Sequence, residues 1–337
     1  MNDIAVRGLQ CAKHGARGDG DILRRFLLVI LVVTMLIPGG ADAAKKLRIV
    51  TTIPDLADMT RNVGGDFVDV TSLATGVEDI HAVPMKPSFA VLLNRADGVI
   101  LMGLEAEHAF LPALLEASRN AKIQRDMPGY IDCSVYVTPL EVPTRLDRSL
   151  GDVHPMGNPH FNLDPANGKN IVRAIVDGLS RLDSEHAAVF KKNGDAYNAK
   201  LDEALVRWQR EAAPLKGKKF VAYHPDMIYF AERFGMIQFG TIEIRPGVDP
   251  TPAHVAELIE RMRQAKVEIV IRELHYPAGL AETVAKSTGA KLVELPAMVR
   301  GVPEAKDYFA LFDYNIRTLV KAVTGGSAAL LVPSSTP

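Results

Sequence analysis

Across residues 184–213 the chain holds no proline and a single glycine, Gly194. Apolar side chains recur there at Ala188, Phe190, Tyr197, Leu201, Leu205 and Trp208, and charges fill much of the remainder. That spacing puts the apolar residues on one helical stripe. The segment reads as one long helix or two in tandem, ended by Pro214 and Gly217. It falls in the middle of the chain, where a connector between two domains would lie, and Gly194 is the place where it could break.

On both sides of the connector, strand-like and helical runs alternate. Before it, 47–53, 67–73 and 98–103 read as strands, with helical periodicity over 56–63, 86–96, 105–117 and 166–182. The run Gly98-Val-Ile-Leu-Met-Gly103 is apolar almost throughout, as a strand buried on both faces should be. After the connector, 219–223, 268–272 and 291–295 read as strands, and 226–234, 251–265, 278–288 and 308–323 as helices. Thr251-Pro252 is an N-cap followed by proline in the first turn. A β-α-β order with crossover helices implies parallel strands. The expected fold is therefore α/β, with two lobes, each a mainly parallel sheet flanked by helices, joined by a long linking helix. The boundaries are 44–183 for the first lobe, 184–214 for the link, 215–325 for the second lobe and 326–337 for a tail.

Residues 1–43 read as a cleavable signal peptide. Arg24-Arg25 precede the apolar run Phe26-Leu-Leu-Val-Ile-Leu-Val-Val-Thr-Met-Leu-Ile37, and Ala41-Asp-Ala43 supplies the small-residue cleavage pattern. The apolar core is too short to span a bilayer as a helix. The leading region is long, which leaves room for a start downstream of Met1. No cysteine follows the core, so no lipid anchor is expected and the mature chain should lie free in an exported compartment. Cleavage removes Cys11 and leaves Cys133 alone, which excludes an intramolecular disulfide. A net charge of -1 gives no electrostatic footprint for nucleic acid.

Three histidines sit in turns or at strand ends. His160 lies in Asn158-Pro-His-Phe-Asn-Leu-Asp-Pro165, His81 in Glu78-Asp-Ile-His-Ala-Val-Pro84, and His224 in Val221-Ala-Tyr-His-Pro225. Proline with Asn and Asp fixes a short loop and aims a side chain. A lone histidine is more often a core or surface residue than a ligand, and no local signature such as H-E-x-x-H is present. Taken together, the three can converge on one transition metal. Glu273, after the 268–272 strand, is the candidate fourth ligand, because a carboxylate helps neutralise a buried dication. Its rival role is a helix-capping or lobe-bridging carboxylate. His108, His154, His186, His254 and His275 are spare and expected mostly at the surface, with His154 placed to form a second, weaker site.

These motifs resemble the periplasmic solute-binding proteins of zinc and manganese ABC transporters. The markers are Asp79-Ile-His81 with Lys86-Pro-Ser88, Arg95-Ala-Asp97 before Met102-Gly-Leu-Glu105, Asn158-Pro-His160 with Leu163-Asp-Pro165, His224 with Tyr229-Phe-Ala231 and Phe234-Gly235, and Thr288-Gly-Ala290. The resemblance spans nearly the whole mature chain. It implies two α/β lobes, a rigid linking helix and a metal held between the lobes, with His81, His160 and His224 at the first three ligand positions. Many members carry an Asp as fourth ligand after the last strand; here that turn reads Glu294-Leu-Pro-Ala-Met298. The function implied is capture of a divalent metal, Zn2+ first and Mn2+ next, and delivery to the membrane permease of an ABC transporter. The expected state is a monomer, and no enzyme activity is expected. Two other functions fit parts of the pattern: a zinc-dependent hydrolase with an open coordination position, and a two-lobed binder of a metal chelate, whose site should be rich in aromatics and arginine.

Overall fold

The computed structural model describes residues 46–143, 154–244 and 247–325. The expected leader, residues 144–153 and the expected tail fall outside the described residues. The described residues form one compact unit. It contains two four-stranded sheets, both wholly parallel. In the first, β1 (Leu47–Thr51), β2 (Val68–Ser72), β3 (Gly98–Leu101) and β4 (Tyr130–Asp132) lie in the order β2-β1-β3-β4. In the second, β5 (Lys219–Ala222), β6 (Ile237–Thr241), β7 (Ile269–Glu273) and β8 (Lys291–Leu295) repeat that order as β6-β5-β7-β8. Crossover helices make the parallel pairing possible and cover the sheet faces.

The longer strands and helices stand where periodicity places them. The outer strands β4 and β6 are additions to the sequence reading. The first has three residues, and the second carries Gln, Gly and Thr within a half-exposed pattern, so neither shows the apolar run of an inner strand. The helix expected from 105 begins only at Leu111, because Leu104 and Glu105 take positive φ values of 51° and 63° and turn the chain first.

The connector is one unbroken helix, Ala187–Glu211. Gly194 is not a break but a contact point. A Cβ there would stand 2.5 Å from Val176 Cγ2, on the helix Pro165–Leu182, so the two helices approach too closely for a side chain. Replacing Gly194 with leucine is therefore expected to lower the unfolding free energy by about 1–3 kcal/mol, the usual cost of overpacking. The measurement is the urea midpoint at unchanged slope; an unmoved midpoint would mean that the helices do not pack in this way.

The connector is held on both flanks. Its Asn193 amide donates to Val63 O at 3.0 Å in the first half, and Phe190 meets Phe67 edge-on at 6.2 Å. Near its end, Trp208 lies 5.2 Å from Phe312 and donates to Asp313 Oδ1 at 2.6 Å, on the helix Tyr308–Thr324. One hydrophobic core runs through both halves, from Ile49 to Val320. A smaller core around Val221, Leu258, Met262 and Val270 belongs to the second half. Two carboxylates, Asp55 buried and Asp58 half-buried, add further ties. Asp55 Oδ2 accepts from Val299 N at 2.9 Å, and Asp58 Oδ2 from Tyr308 N at 3.2 Å.

Candidate metal centre

The carboxyl ends of the strands of both sheets, where open α/β folds place ligands, supply most of the site. The loop after β2 carries His81, and the chain leaving β5 carries His224. His160 precedes the helix Pro165–Leu182 by a short 3-10 turn, Phe161–Leu163. Asp164 caps that helix by accepting from Ala166 N at 2.9 Å and holds Arg233 by two bonds of 2.7 and 2.8 Å, which secures the turn to the second half.

Each of the three imidazoles is anchored through Nδ1. His81 Nδ1 lies 2.9 Å from Ala106 O, and a carbonyl can only accept, so this nitrogen carries the proton. His160 Nδ1 lies 2.9 Å from Asn158 Oδ1. The same amide donates through Nδ2 to Pro225 O at 2.7 Å, which fixes which end faces the histidine. His224 Nδ1 lies 2.8 Å from Glu243 Oε2. All three Nε2 atoms are left with lone pairs. His81 Nε2 and His160 Nε2 face each other at 3.1 Å, and His224 Nε2 is buried with no hydrogen-bond partner. Among the described residues these are the side chains whose donor atoms gather as a metal-holding group, all within 4.8 Å of one another. A tetrahedral zinc with Zn–N of about 2.0–2.1 Å needs nitrogens about 3.3 Å apart, close to the His81–His160 separation.

Charge follows from burial. Burial holds His81 and His160 below the usual imidazole range, His160 furthest, and the neighbouring imidazoles add to the effect on both. His224 moves the other way: burial lowers it, but the hydrogen bond to Glu243 and the charge of Asp226 outweigh that and raise it. Asp226 is pushed up to about 6 by burial, and Glu273 is raised by burial and by Asp226 beside it. Asp79, His160, His224, Asp226, His275 and Met298 help to line a small cavity with about 10 Å³ open to the centre of a water-sized sphere. That is the room of one water or one ion.

The sequence-predicted residues divide accordingly. His81, His160 and His224 come together. Glu273 does not join them. It is the last residue of β7, fully buried, with its carboxyl beside Asp226, and it does not line the cavity. Two of the spare histidines are at the site: His154, the candidate for a second, weaker site, stacks on His81 at 4.7 Å, and His275, expected at the surface, lines the cavity. His186 stacks on Phe67 at 3.8 Å and pairs with Asp183, and His254 opens the helix Pro252–Ala265. Glu243 was not singled out by sequence reasoning. It follows β6, the strand that composition concealed, whereas His275, two residues past β7, was within reach of the strand-end rule.

Two parallel sheets, a bridging helix and a buried imidazole cluster built from both halves define a two-lobed α/β protein. The profile of the family described as zinc-uptake complex component A, periplasmic, matches residues 49–322, and the chain belongs to that family. The high-affinity zinc uptake system protein ZnuA of Brucella abortus is 31% identical over 162 residues, which is 48% of each chain. The match thus spans about half the length of that relative. The manganese ABC transporter substrate-binding lipoprotein PsaA of Streptococcus mitis is 25% identical over 315 residues, 90% of this chain and 98% of its own. Among solved structures, a crystal structure of ZnuA superposes with a TM-score of 0.70 at 25% identity, covering 83% of this chain and all of the other. A manganese-bound periplasmic metal-binding protein from Candidatus Liberibacter asiaticus shares the fold, with a TM-score of 0.68 at 21% identity, over 82% of this chain and all of the other.

Proposed function

We propose that the chain captures one divalent transition metal in the periplasm, zinc in first place and manganese next, and delivers it to the permease of an ABC transporter. His81, His160 and His224 hold the ion through Nε2. The observation that carries this reading is the convergence of three buried Nε2 atoms, each an acceptor in the neutral ring because its Nδ1 is already engaged. Lone pairs facing one another in a dry site are unfavourable until a cation sits between them. In this reading residues 1–43 are a cleaved leader with no lipid anchor, 44–183 and 215–325 are the lobes, 184–214 is the link, and the mature protein is a monomer without enzyme activity. No helix among the described residues is long and apolar enough to cross a membrane. A cavity with room for a single water-sized body supports capture over hydrolysis, which needs space for a substrate beside the metal.

Calorimetric titration of chelator-stripped mature protein tests the proposal. One tightly bound zinc per chain is expected, with manganese displaced by zinc in competition. Absence of binding would end this reading, and turnover of simple esters or phosphates by the zinc-loaded protein would favour the hydrolase.

A further inference from the structure

Three imidazoles leave one position of a four-coordinate ion to be filled, and two loops of the second sheet border the cavity beside His160 and His224. Strands β7 and β8 are parallel neighbours, with Glu273 paired to Leu295, so their following loops open side by side. The loop after β8 brings Ala297 and Met298 to the cavity, and neither carries a nitrogen or carboxylate donor on its side chain. The loop after β7 brings His275.

That loop is braced. The Arg272 guanidinium donates to the carbonyls of Leu274 and Tyr276, on either side of His275, and also to Glu294. Tyr276 N donates to Glu273 O at 3.0 Å. The Tyr276 ring lies flat against Tyr223 at 4.5 Å and beside His224 at 5.8 Å, and His275 rests against it at 4.4 Å. His275 is thus held by the layer of rings that also backs His224. The other spare imidazole at the site, His154, is stacked against the face of His81, and Glu273 stands outside the cavity.

Resting on the metal-capture reading above, we infer that His275 is the fourth ligand of the captured ion. The donor set is then four neutral imidazoles, with the compensating charge carried by an outer ring of carboxylates: Asp79 and Asp226 at the cavity wall and Glu243 on His224. Imidazole suits zinc, whereas manganese prefers carboxylate and water oxygens, so this set selects zinc against manganese. His275 is a specificity determinant in addition to a ligand.

The test uses the mature protein and its His275→Ala, His275→Asp and His81→Ala variants, loaded with zinc, manganese or cobalt(II). The parent should give the intense visible absorption of four-coordinate cobalt. His275→Ala should stay folded, lose much of that intensity and bind zinc at least about tenfold more weakly, the scale at which even outer partners of a metal site are felt. His275→Asp should recover affinity while narrowing the preference for zinc over manganese. If His275→Ala matches the parent in cobalt spectrum and in zinc-to-manganese ratio while His81→Ala loses binding, His275 is not a ligand and the three-histidine reading stands. If the parent itself binds none of the three metals, the underlying reading falls and His275 with it.

Discussion

Replacing His160 with alanine is expected to weaken zinc binding by more than about a hundredfold, because loss of an outer-sphere partner alone costs about 10–100-fold. His160 is the middle member of the cluster. Its ring centroid lies 5.0 Å from that of His81 and 5.1 Å from that of His224, and its Nε2 is the one that approaches His81 at 3.1 Å. Burial keeps it neutral at physiological pH, so the lone pair is available without first expelling a proton. Asn158 fixes the ring twice, accepting from His160 N at 3.0 Å and from Nδ1 at 2.9 Å. The metal-free variant should remain folded, since the ring is a poorly satisfied polar group whose removal also relieves a lone-pair contact. A competition titration against a chelator of known affinity reads the loss, and melting of the metal-free form checks the fold. An affinity within tenfold of the parent, in a folded variant, would remove His160 from the ligand set.

The fold was legible because its inner strands and longer helices carry their own periodicity. Runs such as Val99-Ile-Leu101 and Val270-Ile271 have no alternative placement once the crossover helices are recognised. The outer strands were not legible, since Tyr130–Asp132 and Ile237–Thr241 gain their identity from pairing with an inner neighbour. The same asymmetry governs the site. His81, His160 and His224 announce themselves through flanking Pro, Asn and Asp, which make rigid turns. Glu243 and His275 have no such frame. Their roles come from tertiary contact, one through Nδ1 of His224 and the other through a loop braced by Arg272. Glu273 failed to reach the cluster for a related reason. Still within β7, it is committed to the burial of its own sheet, and only residues past the strand end are free to turn toward the cavity. Gly194 read as a weakness because propensity scores a helix in isolation, whereas its packing partner, Val176, lies on another helix.

Three unperturbed histidines would make metal affinity collapse together near pH 6.5; in this site the protons should instead come on in two stages. In the metal-free protein His224 is raised above that value, while His81 and His160 are lowered. As pH falls from about 8, the first competitor for the ion is the proton on His224, so affinity should begin to drop above pH 6.5. A proton on Asp226, raised to about 6, adds to the loss as pH falls further when the dication expels it. His81 and His160 take up protons only in acid below the ordinary imidazole range, and there the loss should steepen. The same shifts set the stability of the metal-free fold. Below pH 6.5 the unfolded chain binds protons that buried His81 and His160 refuse, so their contribution falls with pH; that of His224 is complete in acid and is lost as pH rises through its raised value. Glu243→Gln separates the stages. Without the carboxylate, burial is opposed only by the charges of Asp226 and Asp79, so His224 falls back from its raised value and the fall in affinity near neutrality should flatten by up to about one proton per ion. At pH 8 the same variant should bind zinc about 10–100-fold more weakly, because the partner that orients the ring and balances the ion's charge is gone. Zinc titrations of parent and variant at half-unit steps from pH 8 to pH 5 measure both effects. A variant with the parent's slope near neutrality would show that Glu243 does not hold the proton on His224.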